Sequence, residues 1–498
     1  MDIAGLFQSP GTQLAAFAQM QTLLYRHDPG LHEYFLPIQM DMLTTPRARS
    51  AAYSRPRRIV VDSLRAAEKR IGKLRHIRTD VVVCPNQHFG RPSETQFFIR
   101  TVLGVLETGA RVLCLIPDDA PCRPELDRQI AAAGKRNHVE FFDPAAASSR
   151  VEKRLRWKIA QHRGRAAFAE AVSILEPHGL HLGEELRTAF ERRAYAIEAW
   201  HRLAPWLEFE AAVVRCHWFE LASGICQTAR ERGKPAITFQ QGVIGHTLDV
   251  PVTASKFVAF GECSAAFLAE ANSRFYQSVG AAAPPVEYVS GGCLFDTILD
   301  LRQQFERRTL LLVDVPTGQS SFYGVENQGT ALLQLAEKLL EADLPFRRII
   351  IRPHPFWGDL DFTLCKRLAS RYPDRCEISH PAWSLEEDLR RSSLVAGIFS
   401  GVLTVAAASG LPTVFLQTEH GYTSGDLACF SPGQTLLPDA AFSKLSRILT
   451  DAGEYAAGQT EARRNAEHYY HEGKALQLDG AFFDRLLAHQ IMAGRPSA

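Results

Sequence analysis

The stretch Ile349-Ile350-Ile351-Arg352-Pro353-His354-Pro355-Phe356 restricts the possible folds most. An unbroken apolar run of β-branched residues fits a strand buried on both faces, which is the habit of parallel sheets covered by helices. Proline fixes φ and lacks a donor, so Pro353 and Pro355 stop the strand and leave His354 at its carboxyl end. Ligands of open α/β sheets bind at that end. Taken alone, His354 reads as a strand cap bonding a nearby carbonyl. The rest of the chain alters that reading.

Apolar runs of the same kind recur, separated by stretches of helical spacing. The spacing predicts strands at 79–85, 111–116, 138–142, 211–215, 236–239, 256–260 and 286–289, and then at 309–313, 349–352, 394–398 and 413–416. Helices are expected at 59–76, from Ser93 onward, at 146–205, 217–232, 328–342, 384–391 and 405–409, and near the end at 440–452 and 459–495. Strands alternating with helices indicate doubly wound parallel sheets. The polar segment 300–308 separates the two series. The division expected is a lead-in over 1–58, an N-terminal Rossmann-like domain over 59–300, a C-terminal one over 301–460 and a helical tail over 461–498. The fold class is therefore α/β, with two doubly wound domains facing a central cleft.

Composition narrows the function classes. A formal charge of +1 lacks the basic excess of a phosphate-tracking protein, so nucleic acid is not an expected partner. Basic residues nevertheless cluster. Residues 47–78 hold eleven Lys or Arg against Asp62 and Glu68, and 150–165 form a second basic stretch; these read first as solvated helix faces, with peripheral contact with an anionic membrane or grip on a polyanionic substrate as the alternative. The ten cysteines form no C-x-x-C pair, which points to buried, reduced thiols and a cytoplasmic setting.

Several predicted strands end in polar and glycine residues. Gln240-Gln241-Gly242 follows one, Gly261-Glu262 the next and Gly291-Gly292-Cys293-Leu294-Phe295-Asp296 a third. Three consecutive ends of this kind read as a ligand-facing rim. In the second half, Thr317 and Gly318 lie in the loop after 309–313, and Ser400-Gly401 with Thr404 follow the strand at 394–398.

In this order, the motifs resemble bacterial capsule and surface-polysaccharide GT-B glycosyltransferases, relatives of the Kdo, sialyl and polysialyl transferases and of the CDP-glycerol glycerophosphotransferases. The resemblance spans about 236–420. It implies that Arg352, His354 and Pro355 contact the donor nucleotide and that Ser400, Gly401 and Thr404 lie beside its phosphates. Gln240, Gln241, Gly242, Glu262, Thr317 and Gly318 would complete the cleft. Those relatives usually carry Gln-His-Gly where this chain has Gln240-Gln241-Gly242, and an acidic residue where it has Ala406-Ala407-Ala408.

The resemblance implies transfer of a nucleotide-activated sugar, with CMP-linked Kdo or nonulosonate donors favoured, to a glycan, lipid-linked or protein acceptor at the inner face of the membrane. A CDP-glycerol-type polyol-phosphate transferase and a catalytically silent polysaccharide-binding scaffold are the alternatives. Glycosyl transfer needs a base for the acceptor proton and a counter-charge for the departing phosphate. Base candidates are His88, Glu94 and His246, with Glu94 placed at a helix start. No D-x-D-like motif lies in a suitable loop, so metal-independent transfer without a cofactor is expected.

Overall fold

The computed structural model describes residues 13–35, 77–85, 92–116, 120, 122–142, 150–180, 182–218, 220–242, 250–293, 298–302, 305–313, 328–342, 344, 347–353, 363–379, 384–397, 400–416, 430, 436–471 and 474–487. Its strands are β1 (Ile77–Arg78), β2 (Val81–Cys84), β3 (Val112–Leu115), β4 (Val139–Phe142), β5 (Leu207–Glu208), β6 (Ala211–Val214), β7 (Ala236–Phe239), β8 (Lys256–Ala259) and β9 (Glu287–Ser290). The second series comprises β10 (Thr309–Val313), β11 (Arg348–Arg352), β12 (Cys376–Ile378), β13 (Leu394–Gly397) and β14 (Thr413–Phe415).

The helices of the first half are α1 (Gln13–His27), α2 (Pro29–Phe35), α3 (Pro92–Glu107), α4 (Arg123–Ala132), α5 (Arg150–Leu175), α6 (Arg187–Leu203), α7 (Glu220–Glu231) and α8 (Glu262–Val279). Those of the second are α9 (Gln328–Glu341), α10 (Thr363–Arg371), α11 (Leu385–Arg391), α12 (Gly401–Ala408), α13 (Pro438–Thr450), α14 (Ala452–Tyr469) and α15 (Gly480–Leu487).

Two parallel sheets result. The first runs β4-β3-β2-β6-β7-β8-β9 and the second β12-β11-β10-β13-β14, while β1 and β5 form a separate parallel pair. Each order reverses once, between β2 and β6 and between β10 and β13, and such switch points are where doubly wound sheets open for ligands. Strands β2, β3, β6, β7, β10 and β13 are buried at every residue, which explains their uninterrupted Val, Leu, Ile and Ala. Apolar clusters cover both faces of each sheet. Each fully buried Leu or Val contributes roughly 1.5–3 kcal/mol over exposure, so these faces dominate stability.

Four differences from the sequence expectation have physical causes. The helical stretch 146–205 is two helices, α5 and α6, because Pro177 ends the first in a short 3-10 turn over Glu176–His178. Helix α12 begins at Gly401 rather than 405, with Ser400 as its N-cap, so Thr404 is a helical residue. The tail helix expected over 459–495 stops at Tyr469 and resumes as α15. In the lead-in, α1 and α2 form an ordered layer: Met20, Leu24, Leu31 and Phe35 pack with Phe168, Leu175 and Phe190 of α5 and α6. The helix expected at 59–76 lies outside the described residues.

The C-terminal segment returns to the first sheet. After α14, His471 N donates to Phe260 O at 2.9 Å, Cys293 N to Lys474 O at 2.9 Å and Leu476 N to Cys293 O at 2.7 Å. Helix α15 then docks on α3, with Phe482, Phe483, Leu486 and Leu487 in the first domain's core. No helix among the described residues is long and apolar enough to cross a membrane.

Candidate functional site

At the first switch point, Arg215 directly follows β6, and its N–H donates to Cys84 O of β2 at 3.2 Å. Its guanidinium meets Glu94 in the first turn of α3 through two bonds, Nε to Oε2 at 3.1 Å and Nη2 to Oε1 at 3.2 Å. The remaining nitrogen donates to Gln240 O at 3.2 Å, and the guanidinium stacks 4.5 Å from the Phe97 ring centroid. Arginine's planar fork suits this two-point grip on a carboxylate, and the α3 N-terminus favours the negative charge. The arginine is the more hidden partner: its side chain is 5% exposed against 14% for Glu94. Glu94 and Arg215 both line a small depression, with Cys84, Pro85, Phe97 and Phe239. Burial pushes the Cys84 thiol up to about 12, which removes it as a nucleophile.

Gln240, expected to face the ligand, is a clasp. Its Oε1 accepts from Phe260 N at 2.7 Å, and its Nε2 donates to Gly242 O at 2.8 Å and to the Tyr469 hydroxyl at 3.4 Å. Gln241 and Gly242 are half-buried beside it, and Glu262 is exposed at the start of α8. The glycine-rich strand ends read as a ligand rim are filled by the returning chain instead. A Cβ on Gly261 would sit 2.2 Å from Tyr469 O. Gly292 has φ +109°, and a Cβ there would sit 2.8 Å from Lys474 O.

In the second half, Arg352 ends β11 one strand away from the switch point and pairs with Asp388 in the first turn of α11. Ser384 caps that helix and Glu387 returns the bond, a complete capping box that fixes where Asp388 points. Ser379 donates to Asp388 Oδ2 at 2.6 Å, and Asp388 Oδ1 lies 4.0 Å from Arg391 Nη1. Here the carboxylate is the hidden partner, at 0% against 21% for Arg352. At the switch point itself, Ser400 Oγ accepts from Val402 N at 3.1 Å and starts α12, whose N-terminus carries the positive end of the helix dipole. Thr404 is fully buried: its hydroxyl donates to Gly401 O at 2.8 Å and meets the Tyr470 hydroxyl.

The sequence-expected residues Glu94, Gln240, Gln241, Gly242, Glu262, Arg352, Ser400, Gly401 and Thr404 are thus located. His88, His246, Thr317, Gly318, His354 and Pro355 lie outside the described residues. Sequence reasoning missed Arg215, Asp388, Tyr469 and Tyr470. A signal existed for the first: Ala-Ala-Val-Val-Arg ends in arginine as Arg-Ile-Ile-Ile-Arg does.

No family model and no curated protein sequence matches the chain. Solved structures do. The α,α-trehalose-phosphate synthase (UDP-forming) of Burkholderia vietnamiensis aligns over 83% of this chain and 99% of its own, with 14% identity and a TM-score of 0.50. HepE of Anabaena, solved with UDP-glucose, aligns over 83% and 100%, with 11% identity and a TM-score of 0.46. The UDP-GlcNAc 2-epimerase of Neisseria meningitidis, bound to UDP-GlcNAc, aligns over 83% and 100%, with 13% identity and a TM-score of 0.43. At these identities the likeness concerns the fold, which is of the GT-B type with parallel sheets in separate domains.

Proposed function

We propose that the protein is a GT-B glycosyltransferase that moves a sugar from a nucleotide-activated donor to an acceptor hydroxyl. The observation that carries this reading is the opposite presentation of its two strand-end ion pairs. In the first domain Glu94 is the more exposed partner, 14% against 5% for Arg215, whereas the second hides Asp388 and leaves the Arg352 guanidinium partly open. A carboxylate accepts a proton; a guanidinium meets a phosphate.

In this reading Glu94 takes the acceptor proton. Arg215 occupies two of its roughly four lone-pair sites and fixes its orientation, leaving the others for the hydroxyl. Arg352 and the α12 N-terminus behind Ser400 meet the charge that develops on the leaving nucleotide, with His354 and Pro355 extending the same strand end.

A CMP-linked donor follows from the resemblance read in the sequence; the likeness to a UDP-forming synthase supports a UDP-linked donor as the other candidate. The proposed acceptor is a surface glycan or its lipid- or protein-linked precursor, reached at the cytoplasmic face through the basic segments 47–78 and 150–165.

Titration calorimetry with UDP, CMP, CDP and GDP tests the reading. Binding of UDP or CMP that is lost in Arg352→Met supports it. Preference for CDP moves the assignment to polyol-phosphate transfer, and absence of binding by all four favours the silent scaffold.

A further inference from the structure

Two consecutive tyrosines close α14, and each reaches one half of the site. Tyr469 and Tyr470 are 0% and 1% exposed and pack around Phe260, with ring centroids at 5.9 and 5.5 Å. Phe430 adds a contact to Tyr469 at 5.4 Å. Phenylalanine would fill the same space, and a buried hydroxyl is costly unless bonded, so its partners account for tyrosine at these positions.

Those partners differ. The Tyr469 hydroxyl accepts from Gln240 Nε2, and Gln240 in turn holds Gly242 O and Phe260 N, while its own carbonyl receives Arg215. The Tyr470 hydroxyl meets Thr404, whose hydroxyl donates to Gly401 O in the first turn of α12. Backbone bonds restrict the segment carrying both rings: Tyr470 N donates to Ala466 O and His471 N to Phe260 O, each at 2.9 Å.

We infer that Tyr469 and Tyr470 are positioning residues with divided duties, Tyr469 setting the Gln240–Gly242 turn beside Glu94 and Tyr470 setting the first turn of α12. The assignment of those turns to acceptor and donor sides rests on the function proposed above; the division of hydrogen bonds does not.

The test uses Tyr469→Phe, Tyr470→Phe and Thr404→Val in the full chain, with UDP and CMP as calorimetric probes and amide hydrogen exchange as a second readout. Tyr470→Phe is expected to weaken nucleotide binding about five- to tenfold, the worth of about one hydrogen bond. Exchange should then rise at 401–405. Tyr469→Phe should leave nucleotide affinity within about twofold, within the additivity error expected of an uncoupled site, and raise exchange at 240–242. Thr404→Val should reproduce Tyr470→Phe, with the double variant no weaker than either single one.

Equal affinity losses in both tyrosine variants, or additive losses in the Thr404 pair, overturn the inference. If the wild-type chain binds neither nucleotide, the proposed function falls while the exchange experiment still decides the clasp. In that case, exchange that rises at neither turn, or equally at both turns in both variants, overturns it.

Discussion

Arg215 and Arg352 occupy the same place in two different sheets, at the carboxyl end of a buried strand and against a carboxylate in the first turn of a helix. The pairs are built in opposite senses. Glu94 keeps a face on the depression while Arg215 is enclosed by Glu94, the Phe97 ring and the Gln240 carbonyl. Asp388 is enclosed by Ser379 and Arg391 while Arg352 keeps its exposure. In the proposed function the hidden member orients and the open member acts, Glu94 as proton acceptor on one side and Arg352 as phosphate partner on the other.

The largest break in that symmetry is expected from Glu94→Gln, which keeps the side chain's shape and some hydrogen bonding to Arg215 but removes the proton-accepting charge. The turnover rate should fall by about 10²- to 10⁴-fold, the usual worth of a general base. Nucleotide affinity, measured by calorimetry, should not change. If turnover survives, the proton goes elsewhere and His88 and His246 become the candidates to mutate next.

On the other side the hidden member is the carboxylate, so its loss acts first on stability. Asp388→Asn leaves Arg352 beside a neutral amide, and breaking a buried pair in this way costs about 3–5 kcal/mol. Denaturant unfolding should show a lower midpoint with an unchanged slope. A small change in midpoint would mean that Arg352 relaxes into water and that the pair is not what orients it.

Much of this arrangement could be read from the residues. The buried strands announced themselves as unbroken Val, Leu and Ile, and the Ser384 cap was legible from its spacing to Glu387. Strand order was not legible, because any βαβ series is compatible with several orders. The switch points at Arg215 and Ser400 therefore emerged only with the sheets. Gly261 and Gly292 show a second limit: glycine marks a close backbone approach, and sequence does not say whether the approaching group is a ligand or the chain's own return at 469–474. Asp388 looked like any helix-start acid, since its burial depends on Ser379 and Arg352 arriving from elsewhere.

A milder perturbation of the open member separates charge from geometry. Arg352→Lys preserves the positive charge but loses the planar guanidinium, whose Nη1 bonds both Asp388 and Ser379. The dissociation constant for UDP or CMP should rise about tenfold, within the range for a charge-assisted hydrogen bond. An unchanged constant would assign Arg352 to structure and leave nucleotide contact to the α12 N-terminus.

The two domains should also differ in their response to acid. His32, among the rings of Tyr25 and Phe275, and His217, bonded to Thr253 and near Phe257 and Arg230, are the buried histidines among the described residues, and both belong to the first domain. Burial holds each neutral and lowers its pKa to about 3 from 6.5. Unfolding therefore takes up a proton at each site between those values, so their stabilising contribution is intact above about 6.5 and drains as pH falls toward 3. The slope is about 1.4 kcal/mol per pH unit for each histidine once the unfolded chain is protonated. Hydrogen exchange at pH 7.5 and 5.5 should show protection falling first around α1, β6 and α8, with β10, β11 and β13 following later. Simultaneous loss in both sheets would mean that the domains unfold as one unit, coupled through the paired crossing at Cys293 and Ala475.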